Sequence, residues 1–204
     1  MITIHSCEQK SPEWFELRRQ YPLTASKASA IATGGKGLET LVYEKLAEAY
    51  STGEVEDYTN EHMARGVELE PHSRALYELE RGVTVEEVGF ITNDEISPVA
   101  GCSPDGLIGK DGGFETKAPS DTVYFRMLIA DDREKEIPSD YRWQCQDCML
   151  ITGRKWCDLQ FYNPNYSEST ITFRIYADEE MQKKLTEGFK KGETLIKEIT
   201  AKIK

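Results

Sequence analysis

Cys102-Ser103-Pro104-Asp105-Gly106-Leu107-Ile108, followed by Lys110-Asp111-Gly112-Gly113 and then Phe114-Glu115-Thr116-Lys117-Ala118, is the stretch on which the reading of this chain turns. Its apolar residues fall in short β-type runs, and Asp111-Gly112-Gly113 between them is a hairpin signal. Pro104 and Gly106 place Asp105 at a bend, and a hairpin joining the two runs brings it beside Glu115. Glu115 and Lys117 stand two apart on one strand, so their side chains share a face. Two hard carboxylates with an open water position suit Mg²⁺, and the apolar neighbours Leu107, Ile108, Phe114 and Ala118 favour a partly buried site. An ion held there polarises a phosphate, while the compact ammonium of Lys117 orients a water and offsets developing charge. Glu8-Gln9-Lys10 repeats the Glu-x-Lys spacing without an upstream aspartate or a strand around it, and reads as incidental.

Outward from this centre, Val83-Thr84-Val85, Val88-Gly89-Phe90-Ile91 and Val99-Ala100-Gly101-Cys102 extend the strand-like region into a meander. A helix is predicted over 61–80, with Met63, Val67, Ala75, Leu76 and Leu79 as its core positions. It carries Glu68 and Glu70, either of which can project toward Asp105 across the close approach that Gly66 permits. On the other side follow helices over 121–130 and 141–151, strands over Trp156–Tyr162 and Thr170–Tyr176, and a closing helix over 179–203. Nearer the N-terminus, residues 11–31 read as two short helices broken at Tyr21-Pro22, and a further helix covers 38–50. Gly34-Gly35-Lys36-Gly37 lacks the spacing of a phosphate-cradling loop. Helices flanking a central mixed β-sheet give an α/β architecture, and with no repeat or linker the chain is expected to be one domain, 1–204.

Hydrophobic residues make up 39% and charged residues 30% of the chain, which is ordinary for a globular protein. No apolar run reaches the length of a membrane span, and the N-terminus lacks the build of a secretory signal, so the cytoplasm is expected. Five cysteines without disulfide-rich spacing are expected to be reduced. The Cys145-x-x-Cys148 pair could belong to a redox or iron–sulfur site, but it sits in an apolar helical run where small buried thiols are common. The net charge of −11 counts against a nucleic-acid partner without excluding one, because a concave site can be locally basic.

Five pieces in order, spread over 14–162, carry a resemblance. They are Trp14-x-x-Leu17-Arg18 with Thr24-Ala25-Ser26, Gly66 through Glu70 with Ala75-Leu76-Tyr77-Glu78, Cys102 through Leu107, Glu115-Thr116-Lys117-Ala118-Pro119, and Gln144-Cys145-Gln146. Together they resemble the PD-(D/E)xK nucleases and, within them, the phage lambda exonuclease (viral recombinase, YqaJ-type) family. The resemblance implies a restriction-endonuclease-like core and an Mg²⁺-dependent 5′→3′ exonuclease on double-stranded DNA ends, with Mn²⁺ able to substitute. Asp105, Glu115 and the main-chain carbonyl of Thr116 would bind the catalytic metal, with Glu70 as the carboxylate of a second. Lys117 would position the water, and Gln146, preferred over Gln144, would orient the site. Arg18, Ser26, Thr24 and Trp14 would form the 5′-phosphate and DNA-binding face, a cation with hydroxyls at a helix start being a good phosphate site. A ring-shaped homotrimer, a single-strand annealing partner and the cytoplasm of a bacterial host carrying a phage or prophage are further implications. The competing expectations are an endonuclease or RecB-like module on the same fold, a non-catalytic DNA-binding protein, and a phosphodiesterase on small nucleotides.

Overall fold

In the computed structural model, which describes residues 1–52 and 61–203, the bend at 103–105 is where one sheet ends and another begins. The chain before the bend forms β1 (Ile2–His5), α1 (Pro12–Gln20), β2 (Leu23–Thr24), a 3-10 turn (Ala25–Lys27), α2 (Ala28–Thr33), α3 (Lys36–Tyr50), α4 (Glu61–Arg81), β3 (Val85–Glu86), β4 (Phe90–Asn93) and β5 (Ser97–Cys102). After it come β6 (Gly106–Ile108), β7 (Gly112–Lys117), α5 (Asp121–Ile129), α6 (Ser139–Thr152), β8 (Trp156–Tyr162), β9 (Thr170–Tyr176) and α7 (Glu179–Thr200). One sheet has the order β1-β4-β5-β2 and the other β3-β6-β7-β8-β9. Each contains one parallel pair, β2 with β5 and β7 with β8, among antiparallel ones. The mixed sheet flanked by helices is therefore present, with its strands sorted into two groups.

The five-stranded sheet is covered on both faces, and the alternation of β8 shows how. Cys157, Leu159 and Phe161 join Tyr124 and Met127 of α5 and Cys145 and Met149 of α6 in one apolar cluster. Burial of a side chain such as Leu159 or Phe161 stabilises by about 1.5–3 kcal/mol. Their neighbours Asp158 and Gln160 point the other way, to α4. There Asp158 accepts from the Tyr77 hydroxyl at 2.5 Å, and Gln160 Nε2 donates to the carbonyl and hydroxyl of Ser73 at 2.7 and 2.9 Å. Arg174 on β9 closes this network, donating from Nε and Nη2 to Asp158 while its guanidinium lies 3.7 Å from the Trp156 ring centroid. The other sheet packs its apolar side against α2, α3, α6 and α7 through Leu23, Ile31, Leu38, Ala100, Ile151 and Phe189. Gly106 is required at the join: a Cβ there would lie 2.1 Å from Val85 Cγ1 across the β3–β6 pair.

The structure departs from or adds to the sequence reading in three places. On α4 the residues facing inward are Ser73 and Tyr77, while Val67, Ala75 and Leu79 are exposed and Leu76 is half-buried. The helix meets the sheet through hydrogen bonds as well as apolar contact, which an apolar periodicity does not register. Met63 lies outside the described side chains. The N-terminal strand β1 was not anticipated, since its four residues are too few for a pattern and Ile2 and Ile4 remain exposed. Gly34 and Gly35 are a joint between helices, Gly34 ending α2 with φ 60° and Gly35 standing at the N-cap of α3, while Gly37 lies inside α3. All five cysteines are free. Cys145 and Cys148 do not pair with one another; Cys148 packs with Cys102 in one apolar cluster and Cys145 with Cys157 in another.

Asp147 on α6 is fully buried with both carboxylate oxygens unpartnered among the described residues. Burial pushes its carboxyl well above the usual range, in the direction that favours the neutral form. Replacing it by alanine removes the orphan group and favours the helix. Asp147→Ala is expected to raise the unfolding free energy by about 1–3 kcal/mol, read from the urea midpoint at constant m-value. A lower midpoint would show that the carboxyl is held by something it needs.

Candidate active site

The side chains singled out around the bend converge. Asp105 Oδ2 accepts from the Thr116 amide at 2.7 Å, which fixes the bend against β7. Glu115, 2% exposed, and Lys117 share the α6-facing side of β7. Lys117 Nζ stands 2.5 Å from Glu115 Oε1 and 5.1 Å from the Tyr141 ring centroid. Thr116, between them, points to the opposite face and hydrogen-bonds to Ser73 Oγ on α4 at 2.5 Å. One helical turn before Ser73, Glu70 faces the bend from α4, with Lys10 and Arg74 each 3.8 Å away. Glu68, the alternative to Glu70, is exposed and away from the cluster. A cavity of about 570 Å³ opens here, lined among others by Gln9, Lys10, Glu70, Arg74 and Asp105.

The glutamine expectation is corrected. Gln144, not Gln146, reaches the site, its Nε2 donating to Glu115 Oε1 at 2.6 Å. Gln146 holds the junction of β9 and α7, donating to the Tyr176 carbonyl at 2.7 Å and accepting from the Asp178 amide at 2.9 Å. The reason lies in the helix: residues 145–149 of α6 are all buried, so it has more than one inward face. Apolar spacing then cannot say which face looks toward β7. Lys10, Arg74 and Tyr141 were also missed; they come from distant parts of the chain and no local spacing joins them to Asp105.

The electrostatics favour added positive charge. Burial, and then the charge of Asp105, push the Glu115 carboxyl up to about 8 despite Lys117 beside it. Burial also raises Asp105, and burial with Asp105 raises Glu70, although Lys117, Lys10 and Arg74 stand near. On Lys117, burial lowers the pKa but Glu115 and Asp105 outweigh it, and the ammonium is held charged. Among the described residues, no three His, Cys, Asp or Glu side chains are drawn close enough to enclose a metal by themselves. The fit is instead to an ion completed by other oxygens. Asp105 spends Oδ2 on Thr116 and Glu115 spends Oε1 on Lys117 and Gln144, so Oδ1 and Oε2 remain for a hard divalent cation.

A second cluster gathers at α1 and β2. Arg18 Nη2 lies 3.3 Å from Thr24 Oγ1 and 3.5 Å from Ser26 Oγ, and its guanidinium stacks 4.4 Å from the Trp14 ring centroid. Burial lowers the Arg18 pKa, and no carboxylate among the described residues forms an ion pair with it. A half-buried guanidinium among hydroxyls suits an oxyanion. Ser26 sits in the 3-10 turn ahead of α2, where the sequence suggested the start of a helix.

A family model described as a YqaJ-like viral recombinase domain matches residues 13–155, more than half of the chain. Among solved structures, the alkaline exonuclease (LHK-Exo) from Laribacter hongkongensis is similar, with 29% identity over 95% of this chain and 98% of that one and a TM-score of 0.75. The same exonuclease in complex with dAMP gives 30% identity, the same coverage and the same TM-score. A phage related exonuclease from Haemophilus somnus 129PT, at 14% identity over 89% of this chain and 96% of that one with a TM-score of 0.72, shares the fold. A comparison with curated proteins finds no match. The α/β framework is thus the restriction-endonuclease-like one. No helix among the described residues is long and apolar enough to cross a membrane.

A pH dependence follows from Glu115. With its carboxyl raised from 4.5 to about 8, the folded state binds a proton that the unfolded chain releases across that interval. Its contribution to stability is therefore greatest below that interval and is lost as pH rises through it. In EDTA the melting temperature is expected to fall as pH rises toward 8, and Mg²⁺ should raise it more at pH 8 than at pH 6. An Mg²⁺ increment equal at both pH values would show that the carboxylates are not in repulsion.

Proposed function

The chain belongs to the YqaJ-like viral recombinase family, and from that premise we propose that it is a divalent-metal-dependent 5′→3′ exonuclease acting on double-stranded DNA ends. The observation that carries this reading is the pairing of two clusters: Asp105, Glu115 and Lys117 at the sheet join, and Arg18 among the hydroxyls of Thr24 and Ser26. The first suits phosphodiester hydrolysis and the second suits a terminal phosphate. The dAMP bound to the Laribacter relative is a 5′-mononucleotide, the kind of product such a reaction releases.

In this reading Asp105, Glu115 and the Thr116 carbonyl hold Mg²⁺, Glu70 serves a second ion, and Mn²⁺ can substitute for either. When bound, the metal polarises the scissile phosphate and lowers the pKa of an attacking water. Lys117 orients that water and offsets charge on the transition state, its position set by Glu115 and the Tyr141 ring. Gln144 takes the orienting role first given to Gln146, because it is the glutamine that touches Glu115. Arg18, Ser26 and Thr24 grip the 5′-phosphate, with Trp14 beneath the guanidinium. Family membership further supports a ring-shaped homotrimer around DNA, a single-strand annealing protein as partner, and work in the cytoplasm of a phage- or prophage-bearing bacterium.

The test uses one duplex as a 5′-phosphorylated linear, a 5′-hydroxyl linear and a closed circle, each with Mg²⁺ and with EDTA. Mononucleotides released with Mg²⁺ from the phosphorylated linear form, leaving a 3′-terminated strand, are expected. Cutting of the circle would leave the metal site standing and replace the exonuclease by an endonuclease. Lys117→Ala is expected to lower kcat about 10²-fold or more at unchanged folding. Gln144→Ala should lower activity about tenfold without loss of stability, whereas Gln146→Ala should cost about 1–3 kcal/mol of stability. The reverse ranking of the two glutamines would return the site role to Gln146.

A further inference from the structure

The segment Glu8-Gln9-Lys10 lies against the active-site bend. Gln9 Nε2 donates to two carbonyls, Val88 at 2.9 Å and Pro104 at 3.0 Å, and Pro104 is the residue immediately before Asp105. Five residues on, Trp14 Nε1 donates to Ser103 Oγ at 2.7 Å. Two side chains from the N-terminal segment thus hold the two residues that precede Asp105. Between them, Lys10 is the one non-glycine with positive φ among the described residues, at 69°, and its ammonium lies 3.8 Å from Glu70. The turn at Lys10 lets neighbouring residues serve different parts of the cluster, Gln9 the bend and Lys10 the Glu70 carboxylate.

Trp14 has a second engagement. Its ring carries Arg18 at 4.4 Å, and Arg18 in turn contacts Thr24 and Ser26. Thr24 pairs with Gly101 in the parallel β2–β5 register, on the strand that leads into the bend. The oxyanion-binding cluster and the carboxylate cluster are therefore joined twice, through the indole and through one strand pair. We propose that Gln9 and Trp14 are positioning residues that fix the 103–105 bend, and that Trp14 couples occupancy of the Arg18 cluster to the setting of Asp105. An anion drawn onto Arg18 acts on the ring beneath it. The ring's N–H holds Ser103, two residues from the metal-binding carboxylate. A DNA end bearing a 5′-phosphate then improves the geometry of hydrolysis as well as binding. The coupling rests on the exonuclease reading above; the clamp rests only on the metal-binding role that reading gives Asp105.

The experiment reads both parts. Mn²⁺ binding to the DNA-free protein is followed by electron paramagnetic resonance, and kcat and KM are measured on linear duplex with 5′-phosphate and with 5′-hydroxyl ends. The variants are Gln9→Leu and Trp14→Phe, the latter keeping a ring under Arg18 while losing the indole N–H. Ser103→Ala removes the same hydrogen bond from its other side and stands in if Trp14→Phe does not fold. Both positioning variants are expected to weaken Mn²⁺ binding about tenfold with an unchanged circular dichroism spectrum. Trp14→Phe should also keep the KM for phosphorylated ends while losing their kcat advantage over hydroxyl ends. Wild-type Mn²⁺ affinity in both variants would overturn the clamp, and a wild-type kcat ratio in Trp14→Phe would overturn the coupling. A wild-type protein that hydrolyses no duplex end would sink the functional reading and the coupling with it, while the Mn²⁺ titration would still decide the clamp.

Discussion

One hydrogen bond organises the site, the Thr116 amide donating to Asp105 Oδ2. Strand β6 pairs with β7 through Ile108, Leu107 and Gly106, and Gly106 opposite Phe114 is the last pair. Two residues beyond, the Thr116 N–H has passed the end of its neighbouring strand. A backbone donor in that position must find another acceptor. The Asp105 carboxylate supplies one, so the side chain best placed to hold a metal also finishes the hydrogen bonding of the sheet. Its location is as well determined as a strand pair, although it stands on a bend.

The two faces of the five-stranded sheet then divide the work. Alternation along β7 sends Glu115 and Lys117 toward α6, where Gln144 and Tyr141 meet them, and sends Thr116 toward Ser73 on α4. Gln160 on β8 bonds to the same Ser73, and Asp158 to Tyr77 one turn further on. These buried contacts hold α4 in one register on the sheet, and Glu70 lies on the turn before them. A slip of the helix would leave several buried polar groups unpaired at once, which makes polar contact here a stronger register device than apolar contact.

Much of this was legible in sequence because it is local. Asp105, Glu115 and Lys117 are tied by a bend and a two-residue period, and β8 and β9 coincide with the predicted spans. The parts that escaped depend on relations across the chain. α4 buries Ser73 and exposes Leu79, so a search for its apolar face selects the wrong side. α6 is buried on several faces and gives no direction to choose between Gln144 and Gln146. Gln9 had a visible signal in its Glu-x-Lys setting, but that pattern was weighed only as a copy of the active-site strand, whereas its neighbours are Val88 and Pro104.

The Lys117–Glu115 ion pair has a consequence for which ions can enter. With 2.5 Å between Nζ and Oε1, the protein carries its own monovalent cation against the most buried carboxylate of the cluster. A sodium or potassium ion arriving there brings the same unit charge as the ammonium, gives up its hydration, and gains little that Lys117 does not already provide. A doubly charged ion gains roughly twice the attraction at similar distance. It can also share Glu115 with the lysine, since the second oxygen stays open. In the metal-binding role proposed above, the ammonium would act as a resident competitor that favours doubly over singly charged ions at this carboxylate.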